Sequence, residues 1–161
     1  MDIRGNVDTR LRKLASGTYD AIVVAACGVM RLGFADRITQ VLPMEIMLPE
    51  PGQGAIAIQM RREDLQTFQE IEALEDVPLR ACVDAERAVL AALGGGCHVP
   101  IAAYADMREQ HLHLEAAVLA PDGSQHIREQ ATGSPQHPET LGTELATRLI
   151  QQGAHELLSR L

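Results

Sequence analysis

Leu11, Leu14 and Ala15 recur at helical spacing behind Asn6 and Asp8. Either polar residue can cap a short helix, and Gly17 supplies its C-terminal stop. The pattern then changes. Residues 19–26 form an almost unbroken apolar run of strand length, as expected of a strand buried on both faces of a parallel sheet. Residues 3–6 read as the end of an earlier strand entering a turn, so this part of the chain predicts an α/β layer. Residues 28–33 predict a short helix or turn carrying Arg31, and the segment from Ile38 to Leu42 that follows is ended by Pro43. Two prolines and two glycines in Leu48-Pro49-Glu50-Pro51-Gly52-Gln53-Gly54 exclude regular structure and mark a shaped loop. Residues 55–60 read as another strand, and residues 64–74 as a helix with Leu65, Phe68 and Ile71 on one side.

From residue 76 onward the pattern is that of a second kind of domain. Residues 79–93 predict a helix turning Leu79, Val83, Leu90 and Leu93 to a core, stopped by Gly94-Gly95-Gly96. Residues 101–106 and 112–119 predict strands, the second with Leu112, Leu114, Ala116 and Val118 alternating onto one face. Pro121-Asp122-Gly123 is a strong turn signal before a third strand over residues 125–132. A final helix begins near Pro138 and carries Leu141, Leu145, Leu149, Ile150, Leu157 and Leu158. The expected fold class is therefore α/β plus α+β: a partial α/β piece, a connecting strand and helix, and a small C-terminal domain of three antiparallel strands packed with helices.

Composition adds limits to this outline. With 161 residues, 46% of them apolar, the chain can bury a core in one ordinary domain or two small ones. That core has to be aliphatic, because Tyr19, Phe34, Phe68 and Tyr104 are the only aromatic residues. No apolar run approaches the roughly 20 residues needed to cross a bilayer. The first residues lack a basic-then-apolar leader pattern, so a soluble, cytoplasmic protein without a membrane partner is expected. Cys27, Cys82 and Cys97 are widely spaced and form no C-x-x-C pair, which indicates neither a disulfide framework nor a zinc site.

The net charge of −8 argues against a nucleic-acid partner, yet the charge is uneven. Residues 1–37 hold six basic and four acidic side chains, whereas the remainder holds eight and eighteen. An Arg-dominated segment within an acidic protein suggests an anion site of limited size, against the plainer reading of scattered surface charge. Arg4 and Arg31 follow the two expected strands, where an open α/β sheet forms its ligand crevice, and Arg10 lies on the intervening helix. Guanidinium groups pair bidentately with carboxylates, so the expected ligand is a small polycarboxylate. Arg12, Lys13 and Arg37 read as solvated surface charges.

Cys97 follows three glycines and precedes Pro100 by three residues, which places its thiol on a loop between a helix and a strand. One glycine suffices to stop a helix, so three suggest that something bulky approaches the backbone. A loop cysteine near cations can act as a nucleophilic thiolate; the alternative is a small buried apolar residue, the reading kept for Cys27 and Cys82. His98 can raise the thiolate fraction of Cys97 or be a simple loop histidine. His111 and His113 share one face of a strand but have no third ligand nearby, so no metal site is expected. No G-x-G-x-x-G, P-loop, G-x-S-x-G or H-E-x-x-H pattern occurs.

Taken in order, Arg4-Gly5-Asn6-Val7-Asp8-Thr9-Arg10-Leu11, Tyr19-Asp20-Ala21-Ile22, Arg31-Leu32-Gly33, Leu48-Pro49-Glu50-Pro51-Gly52-Gln53-Gly54-Ala55 and Gly95-Gly96-Cys97-His98-Val99-Pro100-Ile101 resemble the hydroxymethylbilane synthase (porphobilinogen deaminase) family. Ala120-Pro121-Asp122-Gly123-Ser124 resembles a hairpin turn of the same family. The resemblance implies a transferase of haem and porphyrin biosynthesis that joins four porphobilinogen molecules, with release of ammonia, into the linear tetrapyrrole hydroxymethylbilane. It implies a dipyrromethane cofactor held by a thioether to Cys97, which makes Cys97 an anchor rather than a turnover residue. Loss of ammonia from porphobilinogen leaves an electrophilic azafulvene that a thiolate can capture once. By the same resemblance Arg4, Arg10 and Arg31 bind the acetate and propionate groups of substrate and growing pyrrole chain, and Gln53 and Gly54 line the cleft.

The family resemblance further implies that residues 1–48 are the second half of a periplasmic-binding-protein-like α/β domain 2. Residues 49–75 are then a strand and helix returning toward domain 1, and residues 76–161 the C-terminal domain carrying the cofactor cysteine. The family's catalytic aspartate is expected in domain 1, so no catalytic residue is assigned in this chain, and Asp84 is no substitute. The expectation is a chain inactive alone, whose partner is the missing N-terminal half in cis or as a separate chain. The alternative from another class is a non-catalytic binding or interaction module derived from the same fold.

Overall fold

Alternation of apolar and polar residues from Ile101 onward builds the sheet on which the larger part of the chain is organised. In the computed structural model, which describes residues 3–96 and 99–159, β1 (Ile101–Arg108), β2 (His111–Leu119) and β3 (His126–Gly133) pair antiparallel in the order β1-β2-β3. The register sets Ala103 against Ala116, Ala105 against Leu114, and Leu114 against Ala131. Ile101, Ala103, Ala105, Leu112, Leu114, Ala116 and Val118 are thereby buried on one face, as the alternation predicts. The turn into β3 is fixed by Asp122, whose Oδ1 accepts from the Ser124 backbone and hydroxyl at 3.0 and 2.7 Å, while Gly123 takes φ 72°.

Two helices cover the apolar face. α4 (Val77–Ala92) starts where the Asp76 carboxylate accepts the Leu79 N–H at 3.0 Å, with Pro78 in the first turn. Its inner face keeps the expected Leu90 and Leu93, which join the core, and departs from the expectation at Leu79. Ala81, Cys82, Ala85, Glu86 and Val89 are buried, whereas Leu79 is 46% exposed. The small side chains let α5 (Pro138–Gln151) approach closely: a Cβ added at Gly142 would lie 2.4 Å from the Ala85 carbonyl oxygen and 2.7 Å from the Ala88 Cβ. The expected single final helix is two, because Gly153 takes φ 97° and α6 (Ala154–Leu158) starts afresh to bury Leu157.

By chain contacts the protein divides into two compact units, Met1–Pro43 and Met44–Leu161. In the first, α1 (Val7–Ala15) follows Asn6 and is stopped by Gly17 at φ 74°, and α2 (Ala26–Arg31) buries Val29. Cys27 is exposed on α2, contrary to the buried apolar reading, whereas Cys82 is buried as expected. In the second unit, α3 (Leu65–Ile71) is capped by Asp64, which accepts from the Thr67 N–H at 3.0 Å.

Residues 19–26 and 55–60 do not form the strands their apolar content predicts; α2 already begins at Ala26. A strand exists only with a ladder partner, and the three strands among the described residues pair with one another. The runs are left with exposed apolar side chains, Val23 at 62% and Ile56 at 76%. Among the described residues no helix is long and apolar enough to cross a membrane.

The α4–α5 contact gives a direct test. Gly142→Ala should destabilise the protein by about 1–3 kcal/mol, the range for overpacking a tight interior site. A denaturant midpoint equal to that of the unaltered chain would show that the two helices are not in contact at this point.

Candidate functional site

The glycine run before Cys97 resolves into three different roles. Gly94 takes φ 70° and donates its N–H to the Ala91 carbonyl at 3.1 Å, while Gly95 donates to Leu90 at 3.0 Å, a Schellman stop for α4. Gly95 has no room for a side chain: a Cβ there would lie within 2.8 Å of Leu90, Val99 and Ile101 side-chain carbons. A Cβ added at Gly94 or Gly96 would meet nothing within 4 Å, but Gly94 is bound to its positive φ, so Gly96 is the position free of both constraints. Two of the three glycines therefore serve the fold, which narrows the reading that all three make room for a bulky group. Cys97 and His98 lie outside the described residues; the chain resumes at Val99, whose N–H donates to the Gly96 carbonyl at 3.1 Å.

The loop carrying Gln53 and Gly54 is docked against β1 and α4. β1 is an edge strand, and an edge leaves backbone donors unpaired. The Ala103 N–H is taken by the Pro49 carbonyl at 3.1 Å, and the Ala105 N–H by Glu86 Oε1 at 2.7 Å. The other oxygen of Glu86, Oε2, accepts the Gly52 N–H at 2.6 Å. Glu86 is only 6% exposed; burial pushes its carboxyl pKa up, against the opposing pull of the two backbone donors. Beyond this clamp the loop turns through Gly52 at φ 75° and Gly54 at φ 88°, and Gln53 and Gly54 are exposed. Upstream, Arg128 on β3 donates to the carbonyls of Met44 and Glu45 at 2.8 and 2.9 Å while its Nε pairs with Glu115 at 2.5 Å.

The arginines singled out in the sequence belong to the first unit. Arg10, on α1, donates its Nε to the Gly5 carbonyl at 2.9 Å, and Lys13 reaches back to the Arg4 carbonyl at 2.9 Å. Arg4 and Arg10 thus flank one turn, in which Gly5 takes φ 120°, although no strand precedes it among the described residues. Arg31 is exposed on the last turn of α2. Arg12 pairs with Asp8 at 3.3 Å on the surface, in keeping with its reading as a solvated charge.

Of the remaining candidates, His113 shares a hydrogen bond of 3.0 Å with Thr132 across the outer face of the sheet. Cys82 is held as a thiol: burial pushes its pKa up, and the neighbouring Glu86 adds to the shift. Glu86 itself escapes a reading based on motifs. Its signal was present in the helical spacing, since Cys82, Glu86, Val89 and Leu93 fall on one stripe and place a carboxylate among apolar residues.

Residues 1–69 match the family model "Porphobilinogen deaminase, dipyromethane cofactor binding domain", and residues 80–151 match "Porphobilinogen deaminase, C-terminal domain". The first match takes in Arg4, Arg10, Arg31, Gln53 and Gly54; the second takes in Glu86 and Cys97. Over 158 residues the chain is 44% identical to the porphobilinogen deaminase of Desulforudis audaxviator and 47% identical to that of Brevibacillus brevis. Over 164 residues it is 45% identical to that of Chlorobium luteolum. These alignments cover 98 to 99% of this chain and 50 to 52% of the relatives, so the chain spans about half the length of the curated relatives it matches.

The glycine roles are separable by substitution. Gly95→Ala should cost about 1–3 kcal/mol through overpacking against Leu90, Val99 and Ile101, whereas Gly96→Ala should shift stability by no more than about 0.5 kcal/mol. Thermal unfolding of both variants checks this; equal losses would contradict the assignment.

Proposed function

Because the chain belongs to the porphobilinogen deaminase family, we propose that it is the C-terminal part of a hydroxymethylbilane synthase. The complete cytoplasmic enzyme condenses four porphobilinogen molecules, with release of ammonia, into hydroxymethylbilane. The observation that carries this reading is the pair of domain matches in chain order, at 44 to 47% identity to the relatives. In this reading residues 1–48 are the second half of a periplasmic-binding-protein-like domain, residues 49–75 return toward domain 1, and residues 76–161 are the cofactor-carrying domain.

Cys97 is the attachment point of the dipyrromethane. The residues beside it fit a bulky thioether-linked group: Gly96 is exposed, and a side-chain carbon there would meet nothing within 4 Å. When bound, the dipyrromethane supplies the nucleophilic pyrrole carbon from which the chain grows. The residues of this chain bind and orient. Arg4, Arg10 and Arg31 hold the acetate and propionate carboxylates of porphobilinogen and the growing pyrroles through charge-assisted hydrogen bonds. Arg10 is oriented for this by its Nε bond to Gly5. Gln53 and Gly54 line the cleft, where a backbone N–H without a bulky neighbouring side chain can meet a ring substituent.

The acid that handles the reacting proton belongs to the N-terminal half, in cis or as a separate chain, so this chain alone neither loads the dipyrromethane nor turns over porphobilinogen. The unladdered apolar runs at residues 19–26 and 55–60, with Val23, Ile56 and Ile58 exposed, support a sheet completed by further polypeptide.

Co-expression with the N-terminal half of the Brevibacillus brevis relative tests this reading. Mass spectrometry and Ehrlich's reagent should detect a dipyrromethane adduct that Cys97→Ser abolishes; an adduct-free Cys97 in the complex, or unchanged activity of Cys97→Ser, would sink it. Arg10→Leu in the same complex should lower kcat/KM by roughly ten- to a hundred-fold, the scale of a lost charge-assisted hydrogen bond. Unchanged kinetics would remove Arg10 from the site.

A further inference from the structure

An acidic side chain placed inside an aliphatic core is costly unless its oxygens are paired. Glu86 meets that condition by taking two backbone donors from different parts of the chain, Gly52 in the loop and Ala105 in β1. Neither donor has an alternative partner of the ordinary kind. The Ala105 N–H lies on the free edge of β1, and the Gly52 N–H belongs to a turn whose other bonds, Gln53 to Glu50 and Ala55 to Gly52, leave it aside. The contact spans 34 residues of sequence on the loop side and 19 on the strand side. The same helix that carries Glu86 ends eight residues later at the Gly94 stop that leads into the Cys97 loop.

We propose that Glu86 is a positioning residue: its carboxylate fixes the Gly52 turn on α4 and β1, and thereby sets the placement of Gln53-Gly54. The consequence for chain growth rests on the hydroxymethylbilane synthase reading; the clamp itself does not. Glu86 touches no reacting atom. It acts through the backbone of Gly52, next to the two residues assigned to the cleft wall. A glutamine keeps the volume but offers only one acceptor oxygen, and its amide nitrogen faces a second N–H donor, so one arm of the clamp has to open. Aspartate keeps the charge but is one methylene shorter and cannot span both donors.

Amide exchange followed by NMR on the full chain decides the clamp. In the unaltered protein the Gly52 amide should be protected to the degree of the β2 amides; exchange at the rate of an open loop would overturn the proposal without any variant. In Glu86→Gln the exchange of Gly52 or Ala105 should accelerate by roughly ten- to a hundred-fold, with β2 protection retained. Unchanged protection at both positions would overturn it. In the complex with the relative's N-terminal half, turnover per adduct-carrying chain should then fall by about ten- to a hundred-fold in kcat, with the retained β2 protection showing that the fold is intact. A released Gly52 with unchanged turnover per loaded chain would overturn the positioning role. Failure of the unaltered complex to carry any adduct would overturn the enzyme reading and the link to chain growth together, while the Gly52 exchange still decides the clamp.

Discussion

A single buried carboxylate organises the second unit. Glu86 satisfies the exposed edge of β1 on one side and the Gly52 turn on the other, and its own burial is tolerable only because both oxygens are used. Removing the carboxylate leaves two backbone donors unpaired, and removing either donor leaves a buried carboxylate oxygen without its partner. The rest of the arrangement is built to permit this. Ala85 and the Gly142 contact bring α5 close, and Val89 and Leu93 continue the apolar stripe past the carboxylate. Pro49 blocks the neighbouring Ala103 donor with its carbonyl while having no N–H of its own to satisfy.

Elements held together by nearby sequence were legible from the sequence, and elements that depend on distant partners were not. The three antiparallel strands, their buried alternation, the Asp122-Gly123 turn and the Pro138 helix start all follow from local chemistry. The apolar runs at residues 19–26 and 55–60 carry the same kind of signal but have no ladder among the described residues, and hydrogen bonding, not hydrophobicity, is what makes a strand. Leu79 misled for a related reason: a leucine at the right helical spacing is buried only if a neighbour reaches it, and α5 meets α4 further along, where alanines allow contact.

The candidate site divides in the same way. Motifs and residue types pointed to Arg4, Arg10, Arg31, Gln53, Gly54 and Cys97, all groups read as facing outward or lining loops. What supports them was harder to read, because the supporting bonds are made by backbone atoms that carry no residue-type signal. Gly5 holds Arg10, and Gly52 and Ala105 meet Glu86, through N–H or C=O groups alone. The glycine triplet shows the opposite error. Its composition suggested one shared purpose, but a positive φ assigns Gly94 to the helix stop, close contacts assign Gly95 to packing, and Gly96 is left as the open position beside Cys97.

The grip of Arg128 on Met44 and Glu45 bears on the order of events during synthesis. Those bonds join residues 83 and 84 positions apart, and Arg128 lies on the last strand of the sheet. A chain made from its N-terminus therefore carries Met44 and Glu45 without this partner until β3 has been produced, whereas Gly52 and Pro49 can already dock on α4 and β1. The two hairpins are short-range and close early, whereas the α4–α5 pair and the Arg128 bonds close long loops and come later. Met44 and Glu45 are consequently the first residues synthesised in the second unit and among the last to find their place.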